Sequence, residues 1–106
     1  MTIKNKKSEA RKFLEKYTSG PLTIARILAS TRAADEISQI DFAKTLGISV
    51  SHLCDIEKGR KTVSPARAVQ FAKNLKLSEK LFVRIALQDE LNKVGLTRFQ
   101  VMIEAA

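Results

Sequence analysis

The chain has 106 residues, 44% of them hydrophobic and 28% charged, which suits one globular domain with a modest core and argues against a disordered chain. Nineteen Lys and Arg against eleven Asp and Glu leave a net charge of +8, a balance that favours polyanionic partners. No apolar run approaches the ~18 residues of a membrane span, so a membrane partner is not expected.

The positive charge is uneven. Residues 1–20 hold six bases and two acids, and Lys58 to Lys76 hold six bases (Lys58, Arg60, Lys61, Arg67, Lys73 and Lys76) and no acid. Residues 1–7 read as a basic arm without the apolar stretch of a secretory signal, and the cytoplasm is the expected compartment. Ser8 can cap a short helix to about Tyr17, with Phe13, Leu14 and Tyr17 on one face, and Ser19-Gly20-Pro21 breaks it. Ile24, Ile27, Leu28 and Thr31 recur at helical spacing, which predicts a first core helix over about 22–34.

Ser38 begins the next helix, with Asp41 as a capping partner, and Gly47 closes it. Ser49 caps a third helix to about Lys58, ended by Gly59. Ser64-Pro65 opens a fourth to about Leu75, and Ser78 a fifth ending at Gly95. The last residues change period: Thr97, Phe99, Val101 and Ile103 alternate with Arg98, Gln100, Met102 and Glu104, which predicts a β-strand over 97–104. A lone strand needs a partner, and the same strand of a second copy is the simplest one, with Phe99, Val101 and Ile103 as the dimerising face. The alternative is a tail whose alternation is chance. The chain thus divides into residues 1–20 (arm and short helix), 21–95 (a helical domain) and 96–106 (a terminal strand).

Between Gln39 and Lys58 the apolar residues fall at Phe42, Leu46, Ile48, Leu53 and Ile56, with Ala43 and Gly47 between them. Two helices that cross steeply through a short turn need apolar residues on their facing sides and a small residue at the crossing, which Ala43 supplies. The turn needs a residue that tolerates positive φ, which Gly47 supplies. With Leu53 and Ile56 inward, Val50, Ser51, Cys54, Asp55 and Lys58 lie on the opposite face of the second helix.

The run Ser38-Gln39-Ile40-Asp41-Phe42-Ala43-Lys44-Thr45-Leu46-Gly47-Ile48-Ser49, followed by Ile56-Glu57-Lys58-Gly59-Arg60, resembles the Xre/Cro family of phage-repressor-like DNA-binding domains over roughly Leu22 to Leu77. The resemblance implies an all-α, lambda-repressor-like fold of five helices, to which this chain adds the N-terminal helix and the C-terminal strand. It implies a helix-turn-helix whose second helix enters the major groove of double-stranded DNA. Ser49, Val50, Ser51 and Asp55 are then the candidates for the groove. Ser51 can bond base edges, Val50 can meet a thymine methyl, and Asp55 either accepts from cytosine, orients a neighbouring basic side chain, or tunes non-specific affinity as a solvated acid. Gln39, at the start of the preceding helix, suits a phosphate, and Lys58, Arg60 and Lys61 suit the DNA backbone. The resemblance also pairs Arg32 with Glu57 as a structural ion pair.

His52, beside Leu53, reads as a flanking or phosphate-contacting residue rather than a ligand, and Cys54 as a small apolar residue on the DNA-facing side with no redox role. One cysteine and one histidine without matching partners make no zinc site, and no nucleophile has a plausible base, so neither a metal, a cofactor nor an enzymatic activity is expected. The expected function is a homodimeric regulator, a repressor of its own operon, on an inverted-repeat operator. The alternatives are an antitoxin that also binds a toxin protein and a non-specific nucleic-acid binder.

Overall fold

The computed structural model describes residues 22–104; the N-terminal arm and the helix expected from Ser8 to Tyr17 lie outside the described residues. Five helices follow one another: α1 Ile24–Ala34, α2 Gln39–Leu46, α3 Val50–Glu57, α4 Pro65–Leu75 and α5 Glu79–Lys93. Each begins where a hydroxyl can cap it. The side-chain oxygens of Thr23, Ser38, Ser49, Ser64 and Ser78 accept the N–H of the third following residue, at 3.0–3.2 Å, in helices that would otherwise start on unpaired donors.

The ends are equally regular. After α3, Gly59 turns left-handed, its N–H reaches Ile56 O at 3.0 Å and Arg60 N–H reaches Asp55 O at 2.8 Å, the paired bonds of a Schellman closure. The same pair of bonds closes α2 at Gly47 and Ile48, α5 at Gly95 and Leu96, α1 at Glu36 and Ile37, and α4 at Lys76 and Leu77. At Glu36 (φ 54°) and Lys76 (φ 59°) a side-chain-bearing residue takes the left-handed position, so these two turns carry no glycine signal in the sequence.

One core joins all five helices. Phe42, Phe71 and Phe82, from α2, α4 and α5, are fully buried together with Ile24, Ile27, Leu28, Leu53 and Ile56. α4 and α5 pack most extensively on each other, α2 lies between α3 and α4, and α1 backs both α3 and α5. Ala43, the expected crossing residue, is 1% exposed, and Ile48 packs half-buried at the edge of the core. No helix among the described residues is long and apolar enough to cross a membrane.

The terminal strand is not there. Residues 96–104 contain a turn at Thr97–Arg98 and then an extended tail, and no strand occurs among the described residues. The reason is a side chain on α5. The Gln88 amide donates to Phe99 O at 2.8 Å and accepts from Val101 N–H at 2.9 Å, so one carboxamide satisfies two backbone groups that a neighbouring strand would otherwise satisfy. Alternation of faces fails as well: Val101 and Ile103 are half-buried, but Phe99 is 49% exposed, with the Arg98 guanidinium 4.5 Å above its ring. Phe99, Val101 and Ile103 therefore do not form one face.

Candidate nucleic-acid interface

The turn between α2 and α3 is three residues, Gly47-Ile48-Ser49, and the two helices bury Phe42, Ala43 and Leu46 against Leu53 and Ile56. That leaves the other side of α3 open. Val50 and Ser51 are exposed at its N-terminal end, Asp55 is half-buried one turn on, and Lys58, Arg60 and Lys61 are exposed at and beyond its C-terminal end. Ser49 is exposed; its oxygen accepts the His52 N–H, which leaves its hydroxyl proton and a second lone pair for another partner.

The inner side of α3 is anchored by charge. Arg32 of α1 meets Glu57 through two parallel bonds, Nε to Oε2 and Nη2 to Oε1, both at 3.0 Å. Gln39 adds Nε2 to Oε1 at 3.1 Å, and Arg32 Nη1 reaches Ile37 O at 3.5 Å. One carboxylate thereby ties the end of α1, the start of α2 and the end of α3, and its side chain is only 9% exposed. Gln39, expected at a phosphate, has its amide nitrogen turned into this network.

Asp55 has a partner of its own: Arg60 Nη1 lies 3.4 Å from Oδ1, at an exposed site where such a pair orients more than it stabilises. The backbone carbonyl of Asp55 also accepts the N–H of Arg60 and Lys61, so the segment after α3 is pinned to the helix it leaves. His52 is half-buried on α3. Burial, and then the charges of Arg67 and Lys61, hold its imidazole below the ordinary histidine range, and Asp55 opposes them weakly.

A helix-turn-helix family model matches residues 23–82, which takes in all of α1 to α4 and the start of α5. The chain belongs to the helix-turn-helix family. Its type is Xre- and lambda-repressor-like, and its general role is that of a DNA-binding transcriptional regulator. No curated protein and no solved structure gives a match.

Within this helix-turn-helix domain the residues singled out from sequence fall into two groups. Val50, Ser51, Asp55, Lys58, Arg60 and Lys61 share the open side of α3 and its exit, whereas Arg32, Glu57 and Gln39 meet behind it. Arg67 escaped the sequence reading. It lay in the basic run from Lys58 to Lys76 but outside the motif, and only the packing of α4 brings its charge to bear on His52. The usable signal was its place three residues after the Ser64 cap, on the first turn of α4.

Proposed function

We propose that this protein is a sequence-specific repressor that binds an inverted-repeat operator as a homodimer. The observation that carries the proposal is the open side of α3: a short, mixed-polarity row of Val50, Ser51 and Asp55 at the helix start and middle, continued by Lys58, Arg60 and Lys61. A row of that kind suits base edges, and a cluster of flexible cations beside it suits phosphates. Val50 meets thymine methyls, Ser49 and Ser51 donate or accept at base edges or the adjacent phosphate, and Asp55 sets the direction of Arg60. Gln39 keeps a second amide hydrogen free of Glu57, available for a phosphate.

Support for the homodimer is the exposed apolar surface where α5 runs into the tail. Val94 is 70%, Met102 64% and Phe99 49% exposed, large apolar side chains that burial against a second copy would remove from water. Of the three residues assigned to dimerisation from sequence, Phe99 is among these exposed side chains, and Val101 and Ile103 are half-buried.

Selection of bound duplexes from a random pool, followed by footprinting, tests the proposal. The expected product is an inverted repeat with half-sites roughly 10 bp apart, centre to centre. Ser51→Ala should then alter preference at particular base pairs, by about 1–3 kcal/mol for a true contact. Lys61→Ala should weaken every sequence alike and lower the salt slope by about one. A pool with no enriched site and an affinity that follows salt alone would mean a charge-driven, non-specific binder.

A further inference from the structure

The segment that leaves α3 folds back along the helix. At Gly59 the backbone turns left-handed (φ 77°), and the N–H groups of Arg60 and Lys61 reach the Asp55 carbonyl at 2.8 and 3.2 Å. The turn returns Arg60 to the level of Asp55 instead of letting the chain run on past the end of α3. The two side chains then meet: Arg60 Nη1 donates to Asp55 Oδ1 at 3.4 Å. Asp55 belongs to the open side of α3, so its carboxylate draws the guanidinium over that side. Lys58 and Lys61, the neighbouring cations, pair with no carboxylate among the described residues.

We propose that Arg60 reads a guanine in the major groove and that Asp55 is the positioning residue that aims it. The proposal rests on the DNA-binding orientation of α3 given above, and it separates Arg60 from Lys58 and Lys61, which remain with the phosphates. Asp55 engages Nη1 alone, which leaves the Nε–Nη2 edge of the guanidinium for a second planar partner. Guanine presents two acceptors, N7 and O6, on its major-groove edge, and a guanidinium edge matches them with paired bonds. No other base offers two adjacent acceptors there. The carboxylate restricts a long side chain that is otherwise 64% exposed and free to sample many rotamers. An unrestrained Arg60 would reach the nearest phosphate instead, a contact that carries no sequence information.

The test starts from the duplex that the wild-type protein recovers from a random pool. Affinity is measured at fixed salt for that duplex and for each of its single base-pair changes. The expected site contains a G·C pair whose change lowers wild-type affinity about 5- to 150-fold. Arg60→Ala should bind the G·C site and its changed versions alike, and keep the preferences elsewhere in the half-site. Replacing that guanine by 7-deazaguanine, which pairs normally but lacks N7, should weaken the wild-type protein and leave Arg60→Ala unaffected. Asp55→Ala keeps the carbonyl that anchors Arg60 and Lys61, so only the side chain is released. It should lower discrimination at the same base pair several-fold and change nothing there in the Arg60→Ala background.

Uniform weakening by Arg60→Ala, with the salt slope lowered by about one, makes Arg60 a phosphate contact and overturns the proposal. Unchanged discrimination in Asp55→Ala, or a change that persists without Arg60, overturns the positioning role. Either result leaves specific DNA binding intact, whereas a pool with no enriched duplex overturns the operator reading itself.

Discussion

The ion pair behind the recognition helix gives the sharpest quantitative prediction, because its two partners are unequally buried. The Glu57 side chain is 9% exposed and that of Arg32 is 27%. Arg32→Met leaves a buried carboxylate with one neutral donor, the Gln39 amide. Breaking a fully buried pair costs about 3–5 kcal/mol, and the partial exposure of this one reduces the expected loss to about 2–4 kcal/mol. Glu57→Gln is gentler. The new amide oxygen can still accept from Arg32 and Gln39, and Arg32 keeps water and the Ile37 carbonyl, so a loss of about 1–2 kcal/mol follows from the weakened, no longer charge-assisted bonds.

The double variant Arg32→Met, Glu57→Gln removes both charges and should cost less than Arg32→Met alone, which gives a coupling energy of about 2 kcal/mol in the cycle. Urea unfolding followed by far-ultraviolet dichroism measures all four proteins, and the coupling should survive about 1 M salt, since the pair is shielded from solvent. Two results would refute the reasoning. A coupling below about 0.5 kcal/mol means the pair contributes no more than independent sites. A Glu57→Gln loss larger than that of Arg32→Met means burial does not decide the order.

Lys76→Gly should raise stability by about 0.5–1 kcal/mol, because Lys76 holds a left-handed backbone at φ 59° that glycine adopts without strain; an unchanged urea midpoint would count against it. Asp89 on α5 accepts the Ile24 N–H at 3.2 Å, and burial, only partly offset by that bond and by Lys93, raises its carboxyl above the usual range. The folded pKa is therefore the higher one, the penalty is complete at neutral pH and fades as pH falls towards the unfolded value near 3.8, and Asp89→Asn should stabilise most at neutral pH and least in acid. Gln88→Ala should cost about 1 kcal/mol or less globally but speed hydrogen exchange at the Val101 amide strongly, and unchanged protection there would show the tail is held by something else.

The helices were legible because their signals are local. Ser38, Ser49, Ser64 and Ser78 each stand directly before an apolar-periodic run, and Gly47, Gly59 and Gly95 each stand directly after one, so caps and closures are read without knowledge of the fold. The inward side of α3 was legible for the same reason, since Leu53 and Ile56 fix its phase. What the sequence withheld depends on groups far apart along the chain. The Gln88 contacts with residues 99 and 101 span the turn after α5, and no property of the alternating tail reveals that a carboxamide on the preceding helix already occupies its backbone. Arg67 and His52 are fifteen positions apart, on α4 and α3, and only the tertiary fold lets the charge of one act on the other.

The two groups of polar residues on α3 also answer to different physics. Glu57 faces two neighbouring helices in a nearly dry setting, so a change there should be felt as lost stability whatever DNA is present. Ser51, Asp55 and Lys61 lie on the open side, where a pairing such as Asp55 with Arg60 is worth little to the fold. Their substitution should leave unfolding within about 0.5 kcal/mol of the parent, as for surface sites in general, and any larger effect on binding must then arise at the interface itself. The anchor makes that separation possible. With the end of α1, the start of α2 and the end of α3 bound to one carboxylate, the open side can vary in sequence without moving the helix that carries it.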